Sequence, residues 1–145
     1  MAKVKILVLR APGTNCDGET AHAFELAGAE PTLVHVNRFI RGETALSDYQ
    51  ALVIPGGFTY GDDVAAGKVL ANELILKLGA DLKQFVAQGK LVMGICNGFQ
   101  VLVKTGILPG PMGPDLPAVT LTTNDSSRFE CRWVHLAVNP ETNCV

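Results

Sequence analysis

The sequence predicts a mostly parallel, doubly wound α/β sheet with helices on both faces. Two observations carry this reading. Short β-branched and leucine-rich runs recur without strict alternation, as strands buried on both faces do. Stretches of helical periodicity separate them, and strands that alternate with helices build a parallel sheet. The 145 residues suit one domain. Hydrophobic residues make up 48% and charged residues 18%, which is too apolar for a disordered chain and enough for a core.

Lys3 to Leu9 reads as the first strand, and Ala11-Pro12-Gly13-Thr14-Asn15 as a loop. Asn15 or Asp17 can cap a helix running to about Ala27, with Ala23, Phe24 and Ala27 at helical spacing and Gly28 as its stop. Thr32 to Val36 is a second strand. Residues 37–50 are mixed and polar, with room for a short helix at most. Ala51 to Ile54 is a third strand, ending at Pro55-Gly56-Gly57. From Val64 to Gln88 the pattern is helical, with a break expected near Gly79. Leu91 to Ile95 is a fourth strand that runs into Cys96 and a helix over about 97–104. Leu108 to Pro117 is proline-rich and reads as a loop. Ala118 to Thr122 and Arg128 to Val138 then read as two strands of an antiparallel hairpin turned by Asn124-Asp125-Ser126-Ser127. A sheet of four parallel strands with an appended hairpin leaves an edge exposed. Residues 1–145 are therefore expected to be a single domain that is incomplete at its C-terminus.

Lys plus Arg number 12 and Asp plus Glu 14, a net charge of −2. This gives no electrostatic reason to expect nucleic acid. No run approaches the length of a membrane span, so no membrane partner is expected. The start reads as a first strand rather than a signal peptide, which points to a cytoplasmic protein. The four cysteines, at 16, 96, 131 and 144, form no CxxC pair and have no histidine at ligand spacing. Neither a zinc site nor a secreted disulfide framework is expected.

Chemistry concentrates at Gly94-Ile95-Cys96-Asn97-Gly98. A nucleophile between small residues, at a strand-to-helix junction, is a nucleophile elbow. The junction puts the thiol at the C-terminal end of the sheet, where open α/β folds bind ligands. The following helix points its N–H groups and positive dipole end at the sulfur, which favours thiolate. Cysteine is also often a buried structural residue; the flanking glycines at such a junction favour the nucleophile. Acyl transfer also needs donors for an oxyanion. The N–H of Asn97 is one candidate, and the loop Pro55-Gly56-Gly57-Phe58 can offer another, since glycine lets backbone approach a substrate closely.

No general base is evident. His22 falls inside the first helix, His35 within the second strand and away from its end, and His135 on the hairpin; each reads as a core or surface residue. Gly61-Asp62-Asp63-Val64-Ala65-Ala66-Gly67-Lys68-Val69 only loosely imitates a phosphate-binding loop: its glycine spacing is wrong and Val69 stands where Ser or Thr is required. Asp62 and Asp63 read as structural rather than as a metal or acid/base pair.

Gly94-Ile95-Cys96-Asn97-Gly98-Phe99-Gln100 resembles the G-x-C-x-G-x-Q signature of the class I, triad-type glutamine amidotransferases. Three further segments resemble the glutaminase components of phosphoribosylformylglycinamidine synthases: Pro12 to Asp17, Pro55-Gly56-Gly57-Phe58-Thr59-Tyr60-Gly61-Asp62, and Arg128-Phe129-Glu130-Cys131-Arg132-Trp133-Val134. The resemblance spans the whole chain. It implies a flavodoxin-like fold and a glutaminase of purine biosynthesis. Cys96 would attack the side-chain amide of glutamine, release ammonia and form a glutamyl thioester. Gly57 and Asn97 would hold the oxyanion, and Gln100 would help hold the substrate. Ammonia would pass to an ATP-dependent synthetase subunit, accompanied by a small accessory subunit. No cofactor is implied for this chain; ATP and magnesium belong to the partner.

The sequence departs from the family at one point. The family's His-Gly-Glu-Gly segment does not occur before Val145, so the base and its carboxylate do not carry over. Little or no glutaminase activity is expected of this chain alone. Two other readings remain: a non-catalytic module that docks on the synthetase, and a cysteine hydrolase of a related flavodoxin-like group. In that group a histidine commonly follows the nucleophile, where Asn97 stands here.

Overall fold

A computed structural model describes residues 2–110 and 118–142. Four parallel strands form one sheet in the order β2-β1-β3-β4. They are β1 (Lys5–Arg10), β2 (Glu30–His35), β3 (Ala51–Ile54) and β4 (Leu91–Gly94). Their C-terminal ends share one edge of the sheet: β1 pairs in register with β2 from Lys5↔Glu30 to Arg10↔His35, and β3 with β4 from Ala51↔Leu91 to Ile54↔Gly94. The central strands β1 and β3 are buried on both faces, with Leu7, Val8, Val53 and Ile54 inaccessible to water, which is why they read as unbroken apolar runs.

Helices cover the two faces unequally. Helix α3 (Lys68–Ala87) and helix α4 (Asn97–Thr105) pack on one face, where Leu7, Leu9, Leu52 and Ile54 meet Leu70, Leu74, Leu78, Leu82 and Val101. Helix α1 (Asp17–Leu26) lies on the other, where Ala21 and Phe24 meet Ile6, Val8 and Val53. On that second face β4 is left half-covered: Leu91 is 52% and Met93 49% exposed.

Several expectations need correction. The region 64–88 holds one helix, α3, which runs through Gly79 without a break. A mid-helix glycine costs about 1 kcal/mol relative to alanine. The leucines at 70, 74, 78 and 82, buried along one stripe, each return more than that on burial, and Gly79 stands on an open face. Helix α1 is capped at Cys16 without a side-chain hydrogen bond, so neither Asn15 nor Asp17 serves as the cap; Asp17 instead pairs with Arg10. Val36 does not end β2 but opens a short helix, α2 (Val36–Ile40).

The antiparallel hairpin expected over 118–138 does not form as strands. Its turn does: Ser127 N–H donates to Asn124 O at 2.8 Å, and the Asn124 amide donates to Arg128 O at 2.8 Å. The flanking residues lie in irregular, exposed backbone, with Phe129, Trp133, Leu136 and Val138 almost wholly in water. A two-stranded hairpin with nothing to cover its apolar face is marginal in water. Most of the proline-rich loop (111–117) and Cys144 lie outside the described residues.

Candidate functional site

Strand β4 carries the chain to the C-terminal edge of the sheet, and one more bond, Ile95 N–H to Ile54 O at 3.0 Å, continues the pairing past its end. The backbone then turns sharply at Cys96, which has φ 51° and ψ −111°, and α4 begins at the next residue. A non-glycine residue at positive φ is strained by about 1–3 kcal/mol and persists only where its surroundings over-determine it. Here they do. A β-carbon on Gly94 would lie 2.6 Å from Gly98 O and 2.7 Å from Phe99 N. A β-carbon on Gly98 would collide with the Ile54 carbonyl and lie 2.9 Å from Pro55 O. The two glycines therefore let α4 start directly against the ends of β3 and β4. The Cys96 thiol is free, and the residue is exposed.

The loop after β3 faces this elbow. A β-carbon on Gly56 would stand 3.5 Å from the Cys96 β-carbon and 3.8 Å from that of Cys16, so the loop backbone lies in the space between the two cysteines. Gly57 has φ +140°, and a β-carbon there would meet Asn15 Oδ1 at 2.5 Å and Gly13 O at 2.9 Å. Both conformation and space demand glycine. Residues 12–16 clamp the loop through main-chain bonds: Phe58 N–H to Gly13 O at 3.0 Å, Tyr60 N–H to Pro12 O at 2.7 Å, and Cys16 N–H to Gly56 O at 3.3 Å. Among the described residues, the N–H groups of Gly57 and Asn97 take part in none of the hydrogen bonds that hold the loop and elbow.

Of the residues singled out from sequence, Cys96, Asn97 and Gln100 thus share the first turn of α4, and Gly57 follows the glycine packed against Cys96. The side chain of Asn97 was not anticipated. It is 1% exposed and bonded to Thr59, Asp62 and Gln100. Asp62 is accordingly structural. Tyr60, at φ 54°, also fastens the loop: its hydroxyl donates to Glu73 of α3. Burial pushes the Tyr60 phenol up to about 12, and the hydrogen bond and the negative charge of Glu73 add to the effect.

The histidines stand elsewhere. His22 is exposed on α1 beside Glu25, at 3.8 Å. His35 is at the end of β2, not within it, and its Nδ1 accepts from Asn37 N–H at 3.2 Å. Strands β1 and β3 separate it from β4, which is about 14 Å at the usual strand spacing. His135 lies in the exposed segment. Among the described residues, no group of three metal-ligating side chains occurs. A cleft of about 360 Å³ between Leu46, Asp81 and Phe85 opens where the turn at Leu46–Asp48 and the end of α3 lead into β3 and β4, at the other end of the sheet from Cys96.

Residues 3–145 match the family described as CobB/CobQ-like glutamine amidotransferase domain. The chain is 59% identical over 145 residues to the phosphoribosylformylglycinamidine synthase subunit PurQ of Dehalococcoides mccartyi, covering 100% of this chain and 56% of that protein. It is 46% identical over 144 residues to the same subunit of Methanococcus maripaludis, covering 97% and 52%. A chain of the solved PurLQS structure from Thermotoga maritima superposes with a TM-score of 0.70 at 38% identity, over 92% of this chain and 54% of that one. The chain thus spans about half the length of the curated relatives it matches.

Two outcomes follow from the geometry. Gly98→Ala is expected to lower unfolding stability by about 3 kcal/mol or more, because its neighbours are main-chain carbonyls that cannot step aside; urea denaturation measures this. The Tyr60 proton is held more tightly in the folded chain than in the free phenol at 10.0. Its contribution to stability is therefore full below pH 10 and is lost as pH rises towards 12. Ultraviolet titration should show a phenolate step near 12 that Tyr60→Phe removes.

Proposed function

The chain belongs to the CobB/CobQ-like glutamine amidotransferase family, and from that premise we propose that it is the nucleophile-bearing part of a glutaminase that supplies ammonia to a phosphoribosylformylglycinamidine synthase. The observation that carries this reading is the exposed Cys96, held at positive φ against the Pro55–Gly57 loop. Its sulfur attacks the side-chain carboxamide carbon of glutamine. A C–S bond forms, and the carbonyl oxygen takes up negative charge. The N–H groups of Gly57 and Asn97 receive that oxyanion, each such donor being worth roughly 2.7–4 kcal/mol in the transition state. The C–N bond then breaks and nitrogen leaves as ammonia with a proton. Water hydrolyses the remaining thioester to glutamate and restores the thiol. Gln100, one turn along α4, binds the substrate.

The leaving amine needs a proton and the attacking water needs a base. His22 is turned to solvent on α1 beside Glu25, His35 is separated from β4 by two strands, and His135 lies in the exposed segment, so the described residues supply the nucleophile and the oxyanion donors only. We expect the isolated chain to turn over glutamine slowly. Its partner in the reaction is an ATP- and magnesium-dependent synthetase subunit, joined by a small accessory subunit; the likeness to a chain of the Thermotoga maritima PurLQS structure supports such an assembly. The setting in this reading is cytoplasmic, where a purine-biosynthetic synthetase would receive the ammonia. Among the described residues no helix is long and apolar enough to cross a membrane.

One observation favours a second reading, a module that docks without catalysis. Phe129, Trp133, Leu136 and Val138 are exposed, as are Leu91 and Met93 in part, and apolar surface of this extent marks contact with further polypeptide. Alkylation with a chloroketone analogue of glutamine separates the two. The expected result is modification of Cys96 ahead of Cys16 and Cys131, slowed by free glutamine and abolished in Cys96→Ala. Equal rates at Cys96 and Cys131, with no protection by glutamine, would leave the docking module.

A further inference from the structure

We propose that the side chain of Asn97 is a positioning residue that sets which way the Gln100 amide faces, so that Gln100 offers hydrogen-bond donors, not an acceptor, to the ligand at Cys96. The inference rests on the reading of Cys96 as the nucleophile, and it concerns the side chain of Asn97, not its N–H.

Four hydrogen bonds use the whole capacity of the Asn97 amide. Its Oδ1 accepts from Thr59 N–H at 3.2 Å and from the Thr59 hydroxyl at 2.6 Å. Its Nδ2 donates to Asp62 Oδ1 at 2.9 Å and to Gln100 Oε1 at 3.2 Å. An amide can be turned end for end with little change in shape, so the direction of such a chain has to be fixed by groups that cannot turn. Two are present. The Thr59 main-chain N–H can only donate, and the Asp62 carboxylate can only accept. The amide oxygen of Asn97 must face Thr59, and its nitrogen must face Asp62. That nitrogen's second hydrogen then points at Gln100, which must answer with its oxygen. The Gln100 NH₂ group is left facing away from Asn97, and it makes no hydrogen bond among the described residues.

Burial makes this ordering strong. Asn97 is 1% and Thr59 2% exposed, and a buried amide facing the wrong way would put acceptor against acceptor. The same side chain ties the elbow to the loop that carries Gly57, because Thr59 and Asp62 belong to that loop. One amide thus both ties the loop to the residue after the nucleophile and sets the polarity of the Gln100 contact. A ligand group matching the Gln100 NH₂ is an acceptor: a carbonyl or carboxylate oxygen.

The test uses the full chain with Asn97→Asp and the double variant Asn97→Asp/Asp62→Asn. In the single variant a carboxylate faces Asp62, and like charges repel. Gln100 must also turn to donate inward. In the double variant the repulsion is gone, yet Gln100 must still donate inward. The first readout is exchange of the Gln100 side-chain NH₂ protons with water by NMR, which needs no glutamine chemistry. The expected result is slowing by about tenfold or more in both variants relative to the parent, from a hydrogen bond newly made. Equal exchange in all three proteins would overturn the proposal. The second readout is Cys96 alkylation by the chloroketone analogue, beside labelling by methyl methanethiosulfonate, which needs only an accessible thiol. The expected result is a melting temperature lowered in the single variant and regained in the double, unchanged thiosulfonate labelling, and analogue alkylation down by about tenfold in both. Recovery of analogue alkylation together with the melting temperature would reduce Asn97 to a structural prop. A parent chain that ignores the analogue would sink the glutaminase reading, and the exchange measurement would still decide the orientation of Gln100.

Discussion

At the C-terminal edge of the sheet, the first turn of α4 presses against the carbonyls of Ile54 and Pro55 with no room for a side chain between them. That near-contact of two backbones is the constraint from which the site follows. Gly98 permits it on the helix side, and Gly94 permits the matching approach from β4. With both in place, the middle one of the three residues between them takes up the sharp turn in a strained conformation, and that residue is Cys96. The core underneath supplies the rigidity. Leu7, Ile54, Leu70, Leu74 and Val101 pack in one cluster, so the strain at the elbow is held by buried leucines and valines rather than by the loop itself.

Polar contacts finish what the backbone begins. The loop over 55–62 has three separate fastenings: main-chain bonds to residues 12–16, the Tyr60 hydroxyl on Glu73, and the amide of Asn97. Four residues in it take positive φ values, Gly57, Tyr60, Gly61 and Asp62, and a loop so contorted is stable only when held at several points. A site that develops charge works best when its donors are already aimed before the substrate arrives. Fastenings of this kind serve that end, because they leave the Gly57 N–H little freedom to turn.

The sequence made the elbow and the sheet legible because both are local. Alternation of strand and helix can be read along a window of a dozen residues, and the two glycines flanking Cys96 lie within five residues of each other. The continuous helix through Gly79 was harder: glycine argues locally for a break, whereas the leucine stripe that runs past it on the same helix is buried against β1 and β3. The hairpin over 118–138 failed for the complementary reason. Its alternation and turn chemistry are local and real, but strands need an apolar face covered, and Phe129 and Trp133 find nothing to cover them. The role of the Asn97 side chain could not be read at all. Its partners Thr59 and Asp62 are 38 and 35 residues away in the chain, and an asparagine after a nucleophile carries no signal of where its amide points.

Elbow and loop behaving as one rigid body is the claim on which the rest depends. The most direct measurement is hydrogen exchange at the Thr59 main-chain N–H, which is buried and bonded to Asn97 across the site. The account predicts protection comparable to that of Ile95 N–H, which is bonded to Ile54 within the sheet. Exchange at Thr59 as fast as at the exposed Asp125 and Ser126 of the Asn124 turn would mean that the loop opens freely away from Cys96, and the account of the site would be wrong.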